Sequence, residues 1–315
     1  MKFRCSASIV YLLLAFTLMC LANQLNLKVF VAWSQVQDLW ESGFNFSINH
    51  PHFYRFLVVY PGFLLESIFP LKGFAWYVSG FFAINVILFR RLSNLVLGKK
   101  LGPLMITVFI CFHLMMNGRG VIGWTGWLMA ACICLDAVPS SRIFHRIIWI
   151  FTSAFLASVS SGVFAITVAS LFYFLTRRYM YFRFKLRKVW IATILSTSIP
   201  IYFIVHYLKL SIGKNLAFYG GGLTGAIRML KHGIGNLFIA NELIFIAFIS
   251  FITVLLSLFL ITKAWRFMTS LDILICFPLL GGFFGITVLT LAIPLILLRL
   301  RRTLKVSPIL SIYDV

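Results

Sequence analysis

The chain has 315 residues, 61% of them hydrophobic and 17% aromatic, with only 11% charged and a formal net charge of +21. That balance excludes a soluble globular domain, and continuous rather than alternating apolar runs exclude an outer-membrane barrel. What remains is an all-α, polytopic transmembrane helical bundle in which residues 1–315 form one membrane domain.

A soluble protein this basic would suggest nucleic acid. Here the lysine and arginine bias of membrane insertion accounts for the charge, and no nucleic-acid partner is expected.

The first apolar run, Ser8–Leu25, follows Lys2 and Arg4 and lacks a small-x-small cleavage pattern. It is read as an uncleaved first helix that also directs insertion. Next comes an outer segment, about 26–72, containing "WSQVQDLWESGFNFSINHPHFYRF". Asp38 and Glu41 stand three apart there, two of only seven acids in the chain. A carboxylate so placed can take a proton from an attacking hydroxyl as a general base, or simply belong to a solvated loop face. His50-Pro51-His52 lacks a helical ligand spacing, so no metal and no other cofactor is expected. Phe53–Phe69 is apolar but interrupted by Arg55, Pro61 and Glu66. It is read as an interfacial or re-entrant element, because a full crossing would carry Arg90, Arg91, Lys99 and Lys100 outside.

Spans follow at Phe74–Phe89, Leu101–Met116 and Gly120–Val138. The last two are joined by a second outer segment, the bend 117–120, in "FHLMMNGRGVIGW". Arg119 at that bend is either an interfacial snorkeller or a bidentate grip for phosphate. Trp124 and Trp127 just beyond it either anchor the interface or stack on sugar rings. His113, just inside the bend, reads as a satisfied buried histidine.

Two runs are anomalous. Ile147–Leu175 has 29 residues and Leu271–Leu298 has 28, long for one crossing of about 20 residues and short for two. Basic residues flank both ends of each run. Each is therefore expected to double back, the first at Ser158-Val159-Ser160-Ser161-Gly162 and the second at Gly281-Gly282. With Val189–Val205 and Leu237–Ile261, about ten spanning or half-spanning segments with broken helices result. The amino and carboxyl termini then lie in the cytoplasm. Twenty of the 28 lysines and arginines fall inside and eight outside.

The third outer segment, 206–236, reads "HYLKLSIGKNLAFYGGGLTGAIRMLKHGIGN" and contains no acid. Lys209, Lys214, Arg228, Lys231 and His232 could clamp a phosphate there, with exposed amides of Gly220-Gly221-Gly222 as a cradle. The alternative is an amphipathic stretch against anionic headgroups. The six cysteines lie in or beside apolar runs. Cys132 and Cys134, two apart, point to different helix faces, so no redox or metal role is expected. No P-loop, GxSxG, HExxH or nucleotide fingerprint occurs, which argues against a soluble nucleotide sugar as donor.

The acidic outer loop, then "NHPHFYRFLVVYPGFLLESIF", a span and the basic inner loop "RRLSNLVLGKK" together resemble the start of lipid-linked-sugar glycosyltransferases of the GT-C kind. They are also similar to bacterial polysaccharide polymerases of the EpsG and Wzy type, in which an arginine and small residues open a helix near mid-chain, as "NGRGVIGWTGWLMAA" does. The resemblance spans about residues 8–135. It departs from the families' acidic-loop motif, matching only His50-Pro51-His52-Phe53.

The resemblance implies a polyprenyl-(pyro)phosphate-linked glycan donor, other polysaccharide-assembly membrane proteins as neighbours, and transfer at the outer face of a bacterial inner membrane. Two other classes fit the composition. One is a transporter or flippase of lipid-linked glycans, although no internal repeat is visible. The other is a membrane acyltransferase built on His113, for which the sequence shows no polar partner.

Overall fold

The computed structural model describes residues 7–24, 53–70, 73–97, 103–114, 116, 118–135, 143–182, 187–231, parts of 247–262, 269–281 and 292–306. Among these every regular element is an α-helix. In chain order they are α1 (Ala7–Gln24), α2 (Phe53–Ile68), α3 (Gly73–Leu97), α4 (Pro103–Leu114), α5 (Gly118–Leu135) and α6 (Ile143–Ala157). There follow α7 (Ser161–Phe182), α8 (Arg187–Phe218), α9 (Gly222–Lys231), α10 (Ser270–Gly281) and α11 (Ala292–Val306).

Two helices, α3 and α5, have the length and apolar composition to cross a membrane. Within the expected span Leu101–Met116, α4 covers 12 described residues, about 18 Å of helix. α2 is one continuous helix through Pro61.

α5 is the centre. Val121 through Leu128 are all buried, and α3, α6 and α7 pack around them. Small residues allow this. Gly123 and Gly126 fall three apart on one face, which lets neighbouring backbones approach closely. A Cβ on Gly126 would stand 2.4 Å from the Ser153 carbonyl oxygen and 2.6 Å from the Ala157 nitrogen. At Gly123 the nearest atoms belong to Val159 and Val163.

These contacts fix directions. α6 runs antiparallel to α5, with Gly126 beside Ser153 and Ala157. α7 runs parallel to it, with Gly123 beside Val163 and the Cys134 thiol near the Ser170 carbonyl. The 29-residue run therefore folds back on itself as expected, at Ser158-Val159-Ser160.

The 28-residue run behaves alike. α10 ends at Gly281, and Arg299 on α11 reaches back to pair with Asp272 in the first turn of α10. Asp272 also caps its own helix. It accepts from the Thr269 backbone N–H at 2.8 Å, while the Asp272 N–H donates to the Thr269 hydroxyl at 3.3 Å. This is a reciprocal capping box.

Cys132 and Cys134 diverge, the first toward the Leu88 carbonyl on α3 and the second toward α7.

α8 departs furthest from expectation. Instead of ending near Val205 it continues unbroken to Phe218. Tyr207 and Ser211 hold the extension, donating to the Ser158 carbonyl at 2.6 Å and to the Ser161 hydroxyl at 3.1 Å. Residues 206–218 of the third outer segment therefore continue α8, and 222–231 form α9. Past the α6–α7 turn, α8 runs on for seven residues, about 10 Å. α3 likewise extends beyond the start of α5. Asn85 donates to the Val121 carbonyl at 2.8 Å, and the twelve residues from Asn85 back to Gly73 add about 18 Å. α2 lies antiparallel along that extension, where the Tyr77 hydroxyl donates to the Val58 carbonyl. The start of α5 and the α6–α7 turn thus sit below the tops of α2, α3 and α8.

Candidate functional site

At that lower level three helices begin: α2 at Phe53, α5 at Gly118 and α7 at Ser161. The first N–H groups of a helix have no intrahelical acceptor, and the aligned peptide dipoles leave a partial positive charge there. Two of these ends carry an arginine in the first turn, Arg55 on α2 and Arg119 on α5. A cation at a helix start is the unfavourable placement, and here it occurs twice in one place.

Arg55 is 9% exposed, and its Nε has no hydrogen-bond partner among the described residues. Arg119 lies within electrostatic range of Arg55, and both feel the Tyr207 hydroxyl. Neither described acid neutralises Arg55. Asp272 is held by Arg299. Glu66 lies eleven residues further along α2, about 16 Å away.

Aromatic side chains fix the arrangement. Tyr54, beside Arg55, sits edge-on to Phe203 at 4.6 Å between ring centroids and to Tyr207 at 5.8 Å. Its hydroxyl is hydrogen-bonded to His206 Nδ1 at 2.9 Å. Tyr207 anchors the α6–α7 turn, as described above. α2, the turn and α8 are thus tied into one cluster, with the start of α5 beside it.

Directly beneath lies a buried polar pair. Asn85 Nδ2 stands 2.7 Å from His113 Nε2 and also donates to the Val121 carbonyl. His113 is wedged between Phe109 and Phe82. The histidine does have a polar partner, which the sequence did not reveal, and the pair joins α3, α4 and the first turn of α5.

The other predicted residues are placed as follows. Asp38, Glu41 and His232 lie outside the described residues. Trp124 and Trp127 are 1% and 0% exposed and pack edge-on against each other at 5.2 Å. Their ring faces are core, which leaves no surface for a sugar. Lys209 and Arg228 are exposed and Lys214 is half-buried. That partial burial holds the Lys214 ammonium below the usual lysine range. Lys209 and Lys214 stand on α8 and Arg228 on α9, and Lys231 is the last residue of α9.

The glycine cradle is not formed by Gly220 and Gly221. The Gly221 N–H donates to the Leu216 carbonyl at 2.7 Å and the Gly220 N–H to Ala217 at 3.1 Å. With Gly220 at φ +102°, this is a Schellman cap ending α8.

Arg55 is the site residue that sequence reasoning missed. It read as one interruption in an apolar stretch. The available signal was a lone arginine at a helix start with no acid within reach along that helix.

Comparison of the chain with protein-family models, with curated proteins and with solved structures gave no match.

Proposed function

We propose that this protein is a multi-pass membrane glycosyltransferase or polymerase of a bacterial inner membrane. It joins polyprenyl-(pyro)phosphate-linked sugar units into a surface polysaccharide (O-antigen, capsule or exopolysaccharide) at the outer face, with both termini cytoplasmic. The observation that carries the reading is Arg55, buried with no described acid to balance it, beside Arg119 and the starts of three helices. A site of that charge calls for an anion, and guanidinium pairs match phosphate oxygens two at a time.

In the proposed reaction an acceptor sugar hydroxyl attacks the anomeric carbon of the donor. The new carbon–oxygen bond forms as the bond to the phosphate oxygen breaks. Asp38 or Glu41 takes the hydroxyl proton. Arg55 and Arg119 stabilise the negative charge that develops on the leaving polyprenyl (pyro)phosphate, where preorganised donors act most strongly. The Tyr54–His206 bond holds α2 to α8, and the Tyr207–Ser158 bond holds α8 to the α6–α7 turn, which packs on α5 at Gly123.

Two variants test this. Arg119→Ala and Arg55→Ala, each still present in the membrane fraction, are expected to abolish long-chain glycan on a gel. Chain lengths unchanged from the parent protein would remove the reading.

A further inference from the structure

The third outer segment leaves two occupants open, a substrate phosphate or the bilayer surface, and the structure separates them. At about 100° per residue, α9 has three sides. Gly225 faces α8 so closely that a Cβ there would meet the Leu216 carbonyl oxygen at 2.7 Å. Leu223 and Ile227, one turn apart, point away from the protein at 79% and 45% exposed. Thr224 and Arg228 occupy the arc between those two sides, and position 231 shares their register. Phe218, at the corner where α8 ends, adds a further apolar side chain at 77% exposed.

An outward arc of large apolar residues beside an arc of cations is the pattern of a helix lying in a membrane interface. Segment 206–236 has no acid to oppose anionic lipid. The amides of Gly220 and Gly221 are already used by the helix cap, so an anion there would meet side chains rather than a backbone cradle. The height is also suitable, since α8 carries this corner above the arginine pair, toward the level reached by the top of α3.

We infer that α9 is an in-plane interfacial helix on the outer leaflet, with Phe218, Leu223 and Ile227 in the acyl–headgroup boundary and Arg228 and Lys231 on anionic headgroups. Its function is to fix the end of α8, and with it Tyr207 and His206, relative to the membrane surface. The inference rests on the membrane-spanning reading of α3 and α5 but not on glycosyl transfer.

The test uses the full chain reconstituted in phosphatidylcholine vesicles with and without phosphatidylglycerol. Leu223→Cys carries an environment-sensitive fluorophore, and the labelled parent protein serves as the blank. Blue-shifted emission quenched by nitroxide-bearing lipid is expected, stronger with phosphatidylglycerol and weakened by salt. A label at Thr224→Cys is expected to respond to aqueous iodide instead.

Red emission at position 223, open to iodide and indifferent to nitroxide lipid, would overturn the inference. So would a nitroxide response at 223 that inorganic pyrophosphate abolishes, since the arc would then belong to a substrate site. R228Q/K231Q should remove the phosphatidylglycerol dependence, and its persistence would refute the headgroup role. Should Leu223→Cys fail to assemble, Phe218→Cys reads the same boundary. A chain that does not float with vesicles at all refutes the membrane reading instead.

Discussion

Replacing Arg55 with methionine is expected to stabilise the ligand-free protein while destroying its anion binding. A guanidinium taken out of water loses several kcal/mol unless it is paired. Arg55 is buried, and its nearest described acid along α2, Glu66, is about 16 Å away. At an effective dielectric of about 20, attraction over that distance is worth only about 1 kcal/mol. Repulsion from Arg119 and the dipole of α2 both act against the charge. Methionine keeps most of the side-chain volume and removes the penalty, so a gain of about 1–4 kcal/mol follows. For a chain of this length that is a rise of a few degrees in the unfolding midpoint, read in detergent and phosphate-free buffer. Pyrophosphate should raise the midpoint of the parent protein and leave that of Arg55→Met nearly unmoved. Losing one or two charge-assisted hydrogen bonds of about 1.5–3 kcal/mol each weakens binding by tenfold or more. Arg55→Lys should fall between, keeping the charge but not the two-pronged grip. An Arg55→Met protein that melts well below the parent, or binds pyrophosphate equally well, would show that Arg55 is an ordinary structural residue.

Further outcomes follow from the packing. Gly126→Ala should destabilise the bundle by about 1–3 kcal/mol, because its Cβ meets backbone atoms of α6 that cannot swing aside. Gly123→Ala places a Cβ 3.4 Å from Val159 and should be neutral or slightly stabilising through better helix propensity, so equal melting shifts for the two would contradict the register given for α5. Asn85→Leu should lower stability by about 1–3 kcal/mol by leaving the buried His113 ring nitrogen without its partner, and wild-type melting behaviour would contradict that. Asp272→Ala removes both the α10 cap and the tie to Arg299, and should cost about 1–2 kcal/mol given the partial exposure of the pair. A double-mutant cycle with Arg299→Ala checks it.

The linear pattern of the chain showed that it is helical and that two long apolar runs double back. Run length against bilayer thickness, with basic residues at both ends, is a local quantity. It located the turn at Ser158–Ser160 and the end of α10 at Gly281 to within a few residues. Side-chain facing within one helix was also legible, as the divergence of Cys132 and Cys134 shows. α8 was misjudged because Lys209, Lys214 and the glycines after them look like a loop, whereas Tyr207 and Ser211 dock on the α6–α7 turn and carry the helix onward. Trp124 and Trp127 looked available for sugars because an amphipathic ring beside a bend gives no sign of how deeply it is buried. The meeting of Arg55 with Arg119 could not be read at all. Burial and like-charge proximity depend on how α2, α5 and α8 cross. Those crossings are set by glycine clearances of a few ångströms and by aromatic contacts between segments far apart in the chain. Hydropathy is a property of neighbours in sequence, while an anion site is a property of neighbours in space.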